Sequence, residues 1–209
     1  MIRLALISSL GLATPLPDPT VISMAMVQRT LPRHIQIRSV HTFRELLIEM
    51  AHAAHPEPSG HDPLLPGLRG PRTTAGSQPD KPVAAQEFYR YEAPDYQPGR
   101  YRTLIVARIA PGADAAVARI FAESDSGSLP AAIGVTARSL FRWETLYLHY
   151  IEGLEPIGPA VARHRDHPDF TAINEQLDAH ITAYDPGTWR TPADAMAAEL
   201  YSTDSVISH

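Results

Sequence analysis

Apolar and polar positions follow a regular order in the second half of the chain. Residues 101–110, YRTLIVARIA, are rich in β-forming side chains and predict a strand. Residues 111–127, PGADAAVARIFAESDSG, have a helical period between a Pro-Gly start and a glycine near the end. Residues 135–152 predict two strands joined by a tight turn.

The rest of this half completes a known motif. Residues 158–181 predict a helix interrupted at Pro168, and residues 196–204, MAAELYSTD, predict a last strand. The order β-α-β-β-α-β is the ferredoxin-like motif, an α+β fold whose antiparallel sheet carries two helices on one face. The other face of the sheet would be bare, and its burial against a second copy predicts a homodimer.

The first half of the chain has a different character and predicts an N-terminal extension, 1–98, ahead of a domain at 99–209. Thirteen of the 20 prolines lie at or before Pro98, and the Pro- and Gly-rich run at 55–82 predicts an irregular linker. Within residues 34–54, HIQIRSV predicts a short strand and TFRELLIEMAHAA a helix. The apolar stripe of that helix consists of Phe43, Leu46, Leu47 and Met50.

The N-terminal segment and the composition limit the location, the chemistry and the partners that the protein can have. The first 15 residues, MIRLALISSLGLATP, have the outline of a secretory signal but carry one positive charge and no clear cleavage site. We expect a disordered leader, or a start codon assigned too early, and a cytoplasmic protein. The absence of cysteine excludes disulfides and thiolate chemistry. A net charge of -5 and the lack of an apolar run of roughly 20 residues predict neither nucleic-acid nor membrane partners.

The predicted hairpin brings candidate polar residues to one face. With Glu144 and Thr145 as the turn residues, the pairing of the two strands follows, because side chains alternate between faces. Arg138, Tyr147 and His149 share one face, on which Arg138 and His149 are diagonal neighbours roughly 7–8 Å apart at the backbone. The opposite face is nearly all apolar: Val135, Ala137, Ser139, Phe141, Trp143, Leu146, Leu148 and Tyr150.

The helix before the hairpin adds an acid. Val117, Phe121 and Asp125 are spaced by four residues and lie along one helical face. A carboxylate at a helix C-terminus is disfavoured by the helix dipole, so a half-buried Asp125 needs a partner, and Arg138 and His149 are the candidates. Each of the three could instead be a solvent-facing or structural residue, and spacing alone leaves that open.

A second group of polar residues suggests a metal site only superficially. His164 and His167 flank Asp166 in the sequence RHRDH, but no clear third ligand is nearby. The backbone of His167 is also biased away from helix by Pro168. We therefore expect no metal.

The motifs FAESD, LP, IGV, R-LF and LYLH-IE occur in this order, followed by HPDFTAINEQL. With them, residues 99–205 resemble the tetracenomycin-type aromatic polyketide cyclases. The resemblance implies a ferredoxin-like protein that forms a dimeric α+β barrel and closes rings by intramolecular aldol condensation without a metal or organic cofactor. The pocket residues of the family fall on Asp125, Arg138 and His149. Ser124 stands where a histidine precedes the acid in this family, which leaves the substrate and the ring position open.

The resemblance implies an aromatic polyketide cyclase of antibiotic or pigment biosynthesis, which we expect in the cytoplasm. Its small-molecule substrate would be a poly-β-ketone or a partly cyclised intermediate, free or linked to an acyl-carrier protein. Arg138 would stabilise the enolate oxygen, His149 would transfer protons and Asp125 would hold one of them, while Ser124 and Tyr147 would bind substrate oxygens. Two alternatives stay open: a cofactor-independent monooxygenase of anthrone-like aromatics, and a non-catalytic polyketide-binding partner.

Overall fold

A computed structural model describes four stretches of the chain: residues 2–9, 35–44, 46–53 and 83–202. The chain forms two compact units, Met1–Ala85 with Ala198–His209, and Gln86–Ala197. The elements in chain order are β1 (Ile2–Ser9), β2 (Ile35–Phe43), β3 (Leu46–Ala53), β4 (Val83–Glu92), β5 (Tyr101–Ile109), α1 (Asp114–Asp125), α2 (Leu129–Ala132), β6 (Val135–Trp143), β7 (Leu146–Gly153), α3 (Ile157–Arg163), α4 (Pro168–Leu177), β8 (Ile181–Ala183), a 3₁₀ turn (Pro192–Ala195) and β9 (Ala198–Ser202).

The second unit begins at Gln86, whereas the sequence pattern predicted a domain from residue 99. The concentration of proline up to Pro98 suggested that boundary. In the structure Pro98 lies in a short connection between β4 and β5, and residues of both strands belong to the same unit.

The second unit contains the predicted ferredoxin-like fold. Its described strands form an antiparallel sheet in the order β8-β5-β7-β6-β4. Strands β5 to β8 with α1 and the α3–α4 pair give the order β-α-β-β-α-β, so the α+β prediction is confirmed. Strand β4 is an additional strand that pairs with the outer edge of β6.

The strand that closes this motif differs from the predicted one. Strand β8 pairs with Ala107–Ile109 of β5, whereas β9, within the predicted 196–204 strand, pairs with Ser39–Thr42 of β2 in the first unit. Both segments have β-forming residues, and the partner of each is far away in the sequence. Local pattern therefore did not determine which one closes the motif.

The first unit consists of strands in its described part. Strand β3 pairs with β1 and with β2 on its two sides, both antiparallel. The helix predicted after residue 41 is therefore wrong: residues 46–53 form β3. Leu46 to Ala51 are buried without interruption, so both faces of β3 are covered, and such a strand has no period-2 alternation.

The predicted leader and linker lie largely outside the described residues. Residues 2–9 of the leader form β1, which contradicts the expectation of disorder at that position. Residues 10–34 and 54–82 are not described, and the irregular linker stays a prediction.

The hairpin β6–β7 has the predicted register. Trp143 pairs with Leu146 across the Glu144–Thr145 turn, and Leu140 pairs with His149. Glu144 has a φ of 53°, in the left-handed region that tight hairpin turns use.

One residue of the hairpin lies on a different face from the predicted one. A register shift between Val135 and Ala137 inserts Thr136 as an extra residue in β6. A bulge of this kind reverses the alternation beyond it. Val135 accordingly packs with Ile151 in a cluster beside the helices, not with the opposite apolar face.

The core of the second unit lies between its helices and one sheet face. Val117, Ile120 and Phe121 of α1 are buried there, in a cluster that also includes Leu140 and Tyr147. On the opposite sheet face Phe141, Leu148 and Tyr150 are each at most 1% exposed in the single chain. The premise of an uncovered face therefore does not hold for these residues, and the homodimer stays a prediction.

No helix among the described residues is both long enough and apolar enough to cross a membrane.

Candidate functional site

The hairpin places Arg138 and His149 on its helix-facing side. Arg138 lies opposite Ile151 and His149 opposite Leu140, as the alternation of side chains predicted. Arg138 is 4% exposed and His149 is 7% exposed. Two polar side chains of this size are buried in a protein mainly where they have a partner or a function.

The third predicted residue meets Arg138. Asp125 is the last residue of α1, and its Oδ1 lies 3.2 Å from Nη2 of Arg138. Their side chains are 2% and 5% exposed, so this ion pair is almost fully desolvated. The helix carries no basic residue in its last turn, and Arg138 on β6 supplies the compensating charge.

Asp125 has a second partner that sequence analysis missed. The hydroxyl of Tyr89 in β4 donates a hydrogen bond to Oδ2 of Asp125 at 2.8 Å. Tyr89 lies in the run EFYRYE, whose aromatic residues favour a strand. The run lies within residues 1–98, for which the high proline content predicts an irregular extension.

Asp125 thus holds Arg138 and not His149. The sequence left both partners open. Among the described residues no hydrogen bond or ion pair joins Asp125 to His149, while both carboxylate oxygens of Asp125 are engaged elsewhere.

An aromatic side chain connects the polar residues. The guanidinium carbon of Arg138 lies 5.1 Å from the centre of the Phe121 ring, within the range of a cation–π contact. The same ring lies 5.0 Å from the imidazole of His149 in an edge-to-face arrangement. Tyr147 lies two residues before His149 on the same face of β7, with its ring 6.3 Å from the imidazole of His149.

Electrostatics keep the imidazole neutral. Burial, and then the positive charge of Arg138, lower the pKa of His149 well below its usual value. Nε2 of His149 is buried and has no hydrogen-bond partner among the residues that the structure describes. A neutral imidazole with an unengaged nitrogen can accept a proton from a bound molecule.

The neighbouring groups have perturbed acidity as well. Burial raises the pKa of the Asp125 carboxyl, while Arg138 and the Tyr89 hydrogen bond act in the opposite direction. Burial also raises the pKa of the Tyr147 phenol, which therefore stays protonated at neutral pH.

The two predicted substrate-binding residues lie beside these groups. Ser124 precedes Asp125 at the end of α1, and its buried Oγ has no hydrogen-bond partner in the described part of the chain. Tyr147 is 3% exposed and belongs to the same cluster as Phe121. Both are positioned to offer a hydroxyl, and their contact with substrate stays a prediction.

The histidines of RHRDH have a structural explanation in part. His167 caps α4: its Nδ1 accepts a hydrogen bond from the backbone N–H of Asp169 at 3.2 Å. Across residues 2–9, 35–44, 46–53 and 83–202, no three His, Asp or Glu side chains are grouped as a metal site requires.

Comparison with known proteins assigns the second half of the chain. The model of a family described as polyketide synthesis cyclase matches residues 101–204. An uncharacterized protein of Streptomyces coelicolor is 51% identical over 102 residues, which are 48% of this chain and 92% of that protein. Tetracenomycin F2 cyclase of Streptomyces glaucescens is 39% identical over 102 residues, which are 49% of this chain and 93% of the cyclase.

One solved structure is similar over nearly the whole chain. The crystal structure of a proposed monooxygenase from Lactobacillus acidophilus has a TM-score of 0.53 and covers 96% of this chain and 95% of its own. At 10% identity it supports the fold alone. The family match begins at β5, so β4 and Tyr89 lie outside it.

Proposed function

We infer that this chain, which belongs to the polyketide synthesis cyclase family, closes a ring in a poly-β-ketone or partly cyclised intermediate by intramolecular aldol condensation and dehydration. The observation that carries the proposal is the desolvated Asp125–Arg138 pair beside the neutral imidazole of His149. All three residues lie within the segment that matches the family.

The proposed reaction defines what the site has to do. A base removes a proton from a carbon between two carbonyls, and the resulting enolate carbon bonds to the carbon of a distant ketone. The new alkoxide takes up a proton, and loss of water then gives an aromatic ring. The site has to move protons and to stabilise negative charge on oxygen.

Arg138 suits the stabilisation of negative charge. A guanidinium stays protonated and presents five N–H donors in a rigid plane. Asp125 pairs with the guanidinium from the end of α1, and Phe121 packs against it. A fixed donor in a desolvated site stabilises an enolate oxygen more strongly than the same group in water.

His149 suits the transfer of protons. Its neutral state in the folded protein leaves it able to take the proton from the acidic carbon. The imidazolium formed in this way could return its proton to the new alkoxide. The lowered pKa makes this imidazolium a stronger acid than an exposed one, which favours the second step, and makes the imidazole a weaker base in the first.

Apolar neighbours suit the folding of a flexible substrate. Leu140 and Ile151 flank the polar residues on the sheet, and Phe121 faces them from the helix. Holding the two reacting carbons together can supply a large part of the rate.

The test is the conversion of a poly-β-ketone, free or carrier-linked, by the full chain and by the His149→Gln variant. We expect products that have lost water relative to the substrate, with a ring pattern that the variant no longer gives. A product that has gained oxygen, with consumption of O₂, would instead favour a monooxygenase. Substrate binding without any conversion would favour a non-catalytic partner.

A further inference from the structure

One residue of the candidate site comes from outside the segment that matches the family. Residues 101–204 match, whereas Tyr89 lies in β4, Val83–Glu92. Two relatives are covered over 92% and 93% of their own length by alignments of 102 residues, about half of this chain. Strand β4 therefore contributes to the site a side chain, Tyr89, that lies outside the family match.

The pairing of β4 with β6 determines how Tyr89 reaches the site. Tyr89 lies opposite Leu140, and Tyr91 lies opposite Arg138. The register shifts between Glu87 and Tyr89, so that Phe88 is an extra residue in β4. Bulges of this kind re-aim side chains, and here Phe88 and Tyr89 both pack against the cluster that contains Phe121.

The contacts of Asp125 show what Tyr89 contributes. Oδ1 of Asp125 lies 3.2 Å from Arg138, and Oδ2 accepts the Tyr89 hydroxyl at 2.8 Å. A carboxylate that is 2% exposed cannot rely on water for its second oxygen. Without Tyr89, Oδ2 would lose its hydrogen bond, and the carboxylate would be free to rotate away from Arg138.

We propose that Tyr89 is a positioning residue: its hydroxyl holds the Asp125 carboxylate on Arg138, so that Arg138 stays fixed and His149 acts as an independent base. The catalytic part of this inference rests on the proposed function, whereas the positioning of Asp125 does not. The charged and titratable groups around Asp125 are Arg138 on β6, and Tyr89 and Tyr91 on β4. His149 on β7 is influenced by Arg138.

The test is Tyr89→Phe in the full chain, which removes the hydroxyl and keeps the ring that packs 6.2 Å from Phe121. The first measurement is the pKa of the Asp125 carboxyl by ¹³C NMR titration. The Tyr89 hydrogen bond lowers that pKa, so its loss should raise it by about one unit, the equivalent of one hydrogen bond to a charged group.

The second measurement is the pH profile of ring closure. We expect kcat of Tyr89→Phe to fall about tenfold on the acid limb of the profile, with a smaller loss at higher pH and KM nearly unchanged, because a loosened Arg138 weakens transition-state stabilisation by about 1.4 kcal/mol. A purely structural role of Tyr89 would not shift the acid limb of the profile.

Two matched variants serve as controls. Tyr91→Phe removes a hydroxyl from the same strand, two residues along, where no hydrogen bond is found among the described residues, and Tyr101→Phe removes an exposed one. Neither should shift the pKa of Asp125. An unchanged Asp125 pKa in Tyr89→Phe, or an equal shift in Tyr91→Phe, would overturn the positioning role.

Failure of the proposed function would look different. A wild-type chain that converts no poly-β-ketone would overturn the cyclase proposal, and the NMR titration would still decide whether Tyr89 holds Asp125. A raised Asp125 pKa together with an unchanged pH profile of an active enzyme would overturn the catalytic part of the inference.

Discussion

The ring of Phe121 packs edge-on against the imidazole of His149, with centroids 5.0 Å apart and planes inclined by 70°. Arg138 lies against the same ring at 5.1 Å. One aromatic residue of α1 therefore contacts the candidate base and the candidate oxyanion donor, which lie on different strands. This contact couples the position of the helix to the geometry of the site.

Loss of the Phe121 ring should destabilise the protein. We expect Phe121→Leu to lower the free energy of unfolding by about 1–2 kcal/mol, because aromatic and cation–π contacts each add roughly 0.5–1.5 kcal/mol to burial. Urea denaturation of the wild type and the variant measures this free energy of unfolding. Phe170→Leu, at a partly buried aromatic residue of α4, is the control and should cost less. Equal losses in the two variants would mean that the ring contacts contribute nothing specific.

His149 is expected to act on turnover more than on binding. His149→Gln should lower kcat by about 100-fold or more, with a small change in KM, because it removes the general base. Steady-state kinetics with analysis of the products measures both. His164→Gln, in the turn after α3, should leave rate and products unchanged. Retention of the native ring pattern and rate by His149→Gln would make His149 a structural residue.

Arg138 and Arg142 of β6 each form an ion pair with an aspartate of α1, and the two ion pairs differ in burial. Arg138–Asp125 is 5% and 2% exposed, whereas Arg142–Asp114, at 2.7 Å, is 28% and 34% exposed. Arg138→Ala leaves a buried carboxylate without its cation and should cost about 3–5 kcal/mol of stability, while Arg142→Ala should cost about 1 kcal/mol or less.

A double variant separates the charge from the packing of Arg138. In Arg138→Ala/Asp125→Asn no buried charge is left without its partner, so stability should recover in part relative to Arg138→Ala. Chemical denaturation of the four proteins gives the coupling energy. A coupling energy near zero would show that the two side chains do not interact in solution.

The stability of the protein should depend on the protonation of His149. The pKa of His149 in the folded state lies below its unfolded value near 6.5, so the folded state binds fewer protons. The contribution of His149 to stability is therefore complete above about pH 6.5, and it is lost as the pH drops from there towards the pKa of the folded state. His149→Gln should flatten this part of the curve, as measured by unfolding free energies at a series of pH values on either side of the unfolded pKa of histidine. An identical curve for wild type and variant would contradict the lowered pKa.

The register of the hairpin and the face of each site residue were predictable from sequence. A two-residue turn fixes the pairing of adjacent strands, and the alternation of side chains then places Arg138 and His149. Asp125 followed from the helical spacing of Phe121 and Asp125. The hairpin pairing and the helical spacing join residues that are close in the sequence. The short chain between them forms the turn or helix that positions them.

Relations over long distances along the chain were not predictable in this way. Tyr89 reaches Asp125 because β4 pairs with β6, and nothing in the run EFYRYE specifies that partner. The bulge at Thr136 moved Val135 to the helix side, a shift of one residue that alternation cannot reveal.

The sequence alone determined the α+β class, the helix–hairpin segment and three of the residues that meet in the site. The tertiary structure alone decided that β8 closes the motif, that residues 46–53 are a strand, and that Tyr89 completes the environment of Asp125. The physical reason is that an apolar run of six to eight residues can be buried as a strand or as a helix, and an edge can accept any strand. The choice depends on burial and pairing with residues that are distant in the chain.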